Sequence, residues 1–158
     1  MISMMKRRKR ILFLCTGNSA RSQMAEGFMK TLGSDLWNVQ SAGTLSSFVH
    51  PLAIRVMAEI GIDISHHTSK SLIPHLRKKF DYVITLCDHA DSVCPAFPGN
   101  GTRLHWSFDD PASAEGTEEE RLAVFRHVRD GIRDRIAAFL RGDLSDSDPP
   151  DPIASFTF

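Results

Sequence analysis

Cys15-Thr16-Gly17-Asn18-Ser19-Ala20-Arg21 places a cysteine and an arginine at the two ends of a five-residue loop, with Ser22 directly behind. The arrangement suits a tetrahedral oxyanion. If the loop joins a strand to a helix amino end, the backbone N–H groups of Thr16, Gly17, Asn18, Ser19 and Ala20 converge on the anion oxygens. Gly17 lets the backbone come close. The Arg21 guanidinium offers two parallel N–H donors to two oxygens, a geometry that lysine lacks. The same field of donors favours a thiolate at Cys15, and a hydrogen bond from the Ser22 hydroxyl supports it, so Cys15 reads as a nucleophile. The plainer alternative is an inert buried cysteine beside a surface arginine.

Displacement at an oxyanion also needs a proton for the departing oxygen. Phe108-Asp109-Asp110-Pro111 provides two carboxylates on a segment that Pro111 holds extended. Asp110 is the candidate acid, against the alternative of a simple turn before the last helix. The other thiols are Cys87 and Cys94. Three cysteines without an export signal argue against a structural disulfide framework and leave reactive thiols as the question. Zinc is the competing use, because Cys87, His89, Cys94 and His105 lie close in sequence. Structural zinc sites favour cysteines two to four residues apart, however, and this pair has six between its members, so no metal site is expected.

The elements that must position these groups follow from hydrophobic pattern. Arg10 to Cys15 is a short apolar run ended by Gly17-Asn18, as for a strand buried on both faces. Met24, Phe28 and Leu32 recur at helical spacing from Ser19 to a stop at Gly33. Trp37 to Ser41 reads as a second strand ending at Ala42-Gly43, and Pro51 opens a helix that runs to Gly61. Tyr82 to Cys87 is rich in β-branched and aromatic residues, with a shorter strand at Arg103 to Trp106. From Glu118 to Leu140, Leu122, Phe125, Val128, Ile132, Ile136 and Phe139 form one apolar stripe, with solvated charges on the other side. Strands alternating with helices predict an α/β domain with a parallel sheet and helices on both faces. Ligands in such sheets bind at strand carboxyl ends, where Cys15 and Cys87 both fall.

Composition sets the outer limits. The chain has 158 residues, 42% of them hydrophobic and 24% charged, with 19 basic and 19 acidic side chains. These values exclude a wholly disordered, collagen-like or disulfide-dense chain. No apolar run approaches the roughly 20 residues needed to cross a bilayer. Lys6 to Arg10 is a basic block, but the apolar stretch behind it is too short for a signal peptide, and a cytoplasmic start is expected. Without interleaved aromatics the block reads as a solvated leader rather than a nucleic-acid arm. The domain boundaries expected are a basic leader over 1–9, one catalytic domain over 10–140 and an acidic, proline-rich tail over 141–158.

Residues 15–27 closely resemble the active-site segment of thioredoxin-coupled arsenate reductases, which are built on the low-molecular-weight protein tyrosine phosphatase fold. Ser41-Ala42-Gly43, Gly61 to Ser65, His67-Thr68-Ser69, Val83 to Cys87, Cys94-Pro95, His105-Trp106 and Phe108 to Ala112 match in the same order. The resemblance implies a four-stranded parallel sheet in the order 2-1-3-4. It implies Cys15 as nucleophile, Arg21 as oxyanion clamp and Asp110 as acid. It also implies a relay in which a Cys15–Cys87 disulfide passes to Cys87–Cys94 and is reduced by thioredoxin, with no bound cofactor. A phosphatase of this fold needs only the first cysteine, so the second and third point to a reductase. A low-molecular-weight phosphatase and a non-catalytic oxyanion or redox sensor are the rival readings. The expected chain is a monomer with neither nucleic-acid nor membrane partners.

Two positions depart from the family. Ala20 stands where many members carry another cysteine. Lys70 replaces an acidic residue that in some members helps bind potassium, although Asn18, Glu26, Ser41 and Thr68 match the rest of that site. Its ammonium either takes the place of the ion or is simply solvated, and activity insensitive to potassium is expected. A helical stretch from Asp88 to Cys94 would hold the α-carbons of Cys87 and Cys94 about 10 Å apart. A disulfide tolerates about 7 Å, so the segment is expected to unwind on oxidation.

Overall fold

The computed structural model describes residues 7–87 and 97–145. The apolar run before the cysteine forms β1 (Lys9–Cys15), whose last five residues are buried. It is central because strands flank it on both sides. β2 (Trp37–Gly43) pairs with one edge and β3 (Tyr82–Thr85) with the other, and β4 (Thr102–His105) pairs with β3. All pairings are parallel and the order is 2-1-3-4, as the resemblance implied.

α1 (Arg21–Leu32), α2 (Pro51–Ala58) and α3 (Glu118–Leu140) pack on one face of the sheet. Strand side chains alternate between faces, so Ile11, Phe13, Val39, Ile84 and Leu104 meet these helices. Burying each such side chain contributes about 2 kcal/mol. Leu12, Leu14, Ala42 and Val83 turn the other way and pack with Leu72, Phe80 and Phe97. On that face the described helical element is a 3-10 turn at Ile73–His75, whose His75 stacks on Phe80. Residues 88–96, which carry Cys94 and the expected helix before it, lie outside the described residues, as do His89 of the zinc alternative and the tail from 146 onward.

The long helix matches its pattern from end to end. Its apolar stripe is buried, and Thr117 and Glu120 close a capping box, the Glu120 N–H donating to Thr117 Oγ1 at 3.1 Å and the Thr117 N–H to Glu120 Oε1 at 2.9 Å. Its charges are not all solvated. Arg129 is 8% exposed and donates to Val56 O and Glu59, and Arg126 forks onto the same carboxylate, clamping the end of α2 to α3. The last residues of the expected leader are likewise ordered: β1 begins at Lys9, and Arg7 pairs with Asp81 at 2.9 Å. No helix among the described residues is long and apolar enough to cross a membrane.

Candidate active site

Residues 16–20 connect β1 to α1 as a tight loop. Four successive carbonyls of this loop are tied outward. Thr16 O accepts from Leu45 N and Thr44 Oγ1, and Gly17 O from Ser47 Oγ and Ser69 Oγ. Asn18 O accepts from Gln23 Nε2, and Ser19 O from His50 N. With its carbonyls drawn outward, the loop turns its N–H groups toward one common space, the geometry of an anion nest. No side chain caps the first turn of α1, and no acidic residue stands in it. Nothing in that turn therefore competes with an oxyanion for those donors.

Two backbone positions make the loop possible. Asn18 takes the left-handed conformation, with φ of 46°, which asparagine tolerates better than most residues. Beneath the loop, a Cβ on Gly43 would lie 2.6 Å from Thr16 O and 2.8 Å from Asn18 N. The hydrophobic pattern marks Gly43 as the end of a strand, and the resemblance matches it within Ser41-Ala42-Gly43 without giving it a role. Its requirement for glycine comes from the anion loop lying across it, a contact between segments far apart in sequence.

Cys15 is buried, and its Sγ lies 2.9 Å from Ser22 Oγ. The direction of that contact follows from its neighbours. Asn18 Nδ2 donates to Ser22 Oγ at 2.7 Å and to Ser41 Oγ at 2.9 Å, while Asn18 Oδ1 accepts from Lys70 N and Gln23 Nε2. Ser22 Oγ thus accepts a hydrogen bond from Asn18 and has its own O–H to donate to the sulfur. Arg21, 3% exposed, donates to Phe108 O at 3.1 Å and lies 3.8 Å from Asp110 Oδ2. Asp110 caps the 3-10 turn Pro111–Ser113 by accepting from Ala112 N, which fixes the carboxylate beside the arginine. Asp109 is exposed and lines a separate cleft with His127 and Asp130. Arg21 also reaches Leu86 O at 3.3 Å, and Leu86 N bonds to Leu14 O. Buried Cys87 therefore stands one residue beyond the position level with Cys15 on the adjacent strand line.

Behind the loop, buried Glu26 gathers a cluster of partners that reaches out to the surface. Lys30 Nζ donates to Glu26 Oε2 at 2.6 Å, and Ser41 Oγ donates to Glu26 Oε1 at 2.5 Å. Lys70 Nζ donates to Thr68 O at 2.7 Å and lies 3.8 Å from Glu26 Oε1. Burial pushes the Glu26 carboxyl up, but Lys30, Ser41, Lys70 and His67 together hold it below the usual range. Burial pulls Lys70 and His67 down, with Glu26 opposing. These residues do not fit a potassium ion. The Lys70 ammonium already sits against Thr68 O and Glu26, and Asn18 Oδ1 already accepts two hydrogen bonds.

The remaining contributors were not legible as a site. Gln23, buried, links Asn18, Thr68 O and His67 Nδ1. His50 holds Ser19 O, caps α2 through Nδ1 and lies 4.8 Å from the Phe125 ring; burial lowers its basicity, with Arg121 adding and Asp110 opposing. Pro51 signalled the start of α2, but nothing in the pattern marked the preceding histidine.

A buried thiol beneath an arginine-closed anion nest, at the carboxyl end of a 2-1-3-4 parallel sheet, defines a class. The chain belongs to the low molecular weight phosphotyrosine protein phosphatase family, which it matches over residues 10–147. Among its relatives in that family is an arsenate reductase of Halalkalibacterium halodurans, 58% identical over 132 residues that cover 84% of this chain and 95% of the relative. A solved arsenate reductase in a phosphate-binding state superposes with a TM-score of 0.72 at 39% identity, over 84% of this chain and 97% of that one. The thioredoxin-dependent arsenate reductase of Corynebacterium glutamicum superposes with a TM-score of 0.63 at 27% identity, over 88% of this chain and 65% of that one.

Proposed function

We propose that this chain reduces arsenate to arsenite, with Cys15 as nucleophile and thioredoxin as the final electron donor. Arsenate is held by the N–H groups of residues 16–20 and the Arg21 fork. The Cys15 thiolate attacks arsenic, and an oxygen departs as water with a proton from Asp110. The Cys87 thiolate then attacks Cys15 Sγ. The electron pair of the sulfur–arsenic bond stays on arsenic, which leaves as arsenite, and a Cys15–Cys87 disulfide remains. Cys94, outside the described residues, attacks Cys87 and releases Cys15 as thiolate, and thioredoxin supplies two electrons to the resulting Cys87–Cys94 bond. One oxygen leaves as water, and the two electrons gained by arsenic come from two protein thiols.

The observation that carries this reading is a second buried cysteine, Cys87, on the strand line next to the nucleophile and one residue beyond its level, with Arg21 donating to the intervening Leu86 O. Hydrolysis of a phosphate ester has no use for it. The same reading has Lys70 replace potassium electrostatically, so equal rates are expected in sodium and potassium salts. The chain acts as a monomer in the cytoplasm, where thiols are kept reduced.

The test follows NADPH oxidation with thioredoxin and thioredoxin reductase, with and without arsenate, beside hydrolysis of an aryl phosphate. Arsenate-dependent turnover that is lost in both Cys87→Ser and Cys94→Ser supports the relay. Absent arsenate turnover with Cys15-dependent phosphatase activity unaffected by either substitution would make the chain a phosphatase instead.

A further inference from the structure

α3 carries one glycine, Gly131, in its interior. A glycine there is unfavourable relative to alanine, because it gives the unfolded chain more backbone freedom to lose. Backbone conformation does not require it. Gly131 is helical like its neighbours and does not share the positive φ of Gly116 and Gly142 at either end of the helix. What it provides is room. A Cβ at this position would lie 3.0 Å from Cε1 and 3.7 Å from Cδ1 of Phe108, so the edge of that ring rests directly on the helix backbone.

Phe108 reaches the active site through its main chain. Its carbonyl accepts from Arg21 Nη1 at 3.1 Å, and the carboxylate of Asp110, two residues on, lies 3.8 Å from the same guanidinium. The segment that joins ring to carboxylate has little slack. Pro111 restricts Asp110 to extended backbone. Asp110 Oδ1 accepts from Ala112 N at 3.0 Å, and Asp110 O accepts from Ser113 N at 3.1 Å. Ring, carbonyl and carboxylate are therefore linked in one short, stiff stretch.

We propose that Gly131 is a positioning residue: its bare backbone seats the Phe108 ring, and the seated ring sets where Phe108 O holds Arg21 and where Asp110 stands beside it. The inference rests on the arsenate reductase reading above, in which Arg21 clamps the oxyanion and Asp110 protonates the departing oxygen. A methyl group at position 131 forces the ring to give by a few tenths of an ångström. Two responses are open to it. The ring alone can swing into the neighbouring cleft of about 430 Å³, which Ser107, Asp109, His127 and Asp130 also line. Otherwise the whole segment shifts and takes Arg21 and Asp110 with it. Phe108 is packed against the main core, which opposes the swing and leaves the shift.

The test compares the full chain as wild type, Gly131→Ala, Phe108→Leu and the two substitutions combined. Leucine ends short of Cε1 and so removes the atom that the new methyl group would meet. Three quantities are read: kcat with arsenate and thioredoxin, Kd for inorganic phosphate by calorimetry on the reduced protein, and Tm. Phosphate is a tetrahedral oxyanion that reports the placement of Arg21 without any turnover.

In Gly131→Ala, kcat is expected to fall about five- to ten-fold and phosphate Kd to rise about three- to five-fold. Tm is expected to stay within about 2 °C of wild type, because the gain in helix propensity offsets the strain. Added to Phe108→Leu, the same substitution is expected to change kcat and Kd by less than about two-fold. Unchanged kcat and phosphate Kd in Gly131→Ala mean that the ring swings alone, and overturn the proposal. Losses of equal size in the Phe108→Leu background mean that the methyl group acts through another neighbour, and overturn it too. A fall in Tm of more than about 5 °C with phosphate Kd unchanged is the mark of a merely structural glycine and does the same. A wild type that turns over no arsenate overturns the reductase reading instead; phosphate Kd then still decides whether Gly131 sets Arg21, by rising in Gly131→Ala or staying level.

Discussion

The amino ends of α1 and α3 present the same backbone problem and solve it in opposite ways. Each helix begins with N–H groups that have no intrahelical partner. At α3 the chain satisfies them itself, with Thr117 and Glu120 in a reciprocal box and Glu118, Glu119 and Glu120 in the first turn. At α1 the preceding residue is Ala20, no side chain caps the turn, and the first residue is a buried arginine. One helix end completes the fold. The other is positive, pre-shaped by the outward-tied carbonyls of residues 16–19, and suited to a dianion. The open donors at α1 leave stability that a bound oxyanion would supply, whereas that at α3 is always present.

Substitutions should separate the two ends. Arg21→Lys keeps the charge but loses the fork, and is expected to lower kcat/KM for arsenate by about 100-fold or more; near-wild-type turnover would mean that the nest alone holds the substrate. Gly43→Ala forces a Cβ against Thr16 O and Asn18 N. The shifted loop is expected to reduce kcat/KM by about 10- to 100-fold. A variant with full activity would show that the loop can shift without loss of function.

Thr117→Ala removes the cap of α3 and is expected to cost about 1 kcal/mol, seen as a fall in Tm of about 2 to 4 °C with kcat/KM unchanged. A loss of activity there would mean that the two ends are coupled. The smallest effect expected is in pH dependence. Burial lowers His50, His67 and His75, so the unfolded chain protonates first and stability declines as pH falls below about 6.5. At the α2–α3 clamp, hydrogen bonds from Arg126 and then Arg129 hold Glu59 at about 2, against a usual 4.5. Its contribution is therefore present above about 4.5 and lost only as pH falls toward 2. Tm followed by circular dichroism should show two separate acid steps. His67→Gln should flatten the upper step and Arg126→Ala the lower, and a single step unaffected by both would contradict the assignment.

Much of this arrangement was legible before the fold. The strand at Tyr82 and the helix from Glu118 to Leu140 followed from period and β-branching, because burial of one face imposes a repeat on the sequence itself. Cys15, Arg21 and Ser22 were legible because they share one short segment whose spacing is set by a single loop. The contacts made by Gln23, Gly43, His50 and His67 were not, although the first, second and last of these fall in segments that match the family. Each acts through a contact with a residue distant in sequence or hidden in a neighbouring loop, and such contacts leave no period.

The sequence by itself determined the alternation of strands and helices, the apolar stripes and the loop from Cys15 to Arg21, since these depend on neighbours within a few residues. The sequence favoured Asp110 and set Cys15 and Cys87 at strand ends, but only the tertiary structure brought Asp110 to 3.8 Å from Arg21 and set Cys87 one residue beyond the level of Cys15. It also decided that the Lys70 ammonium turns toward Glu26 and Thr68, and that the Phe108 ring rests on Gly131. Those outcomes depend on which strands pair and in what register, and that choice is made by the burial of the whole sheet rather than by any local run of residues.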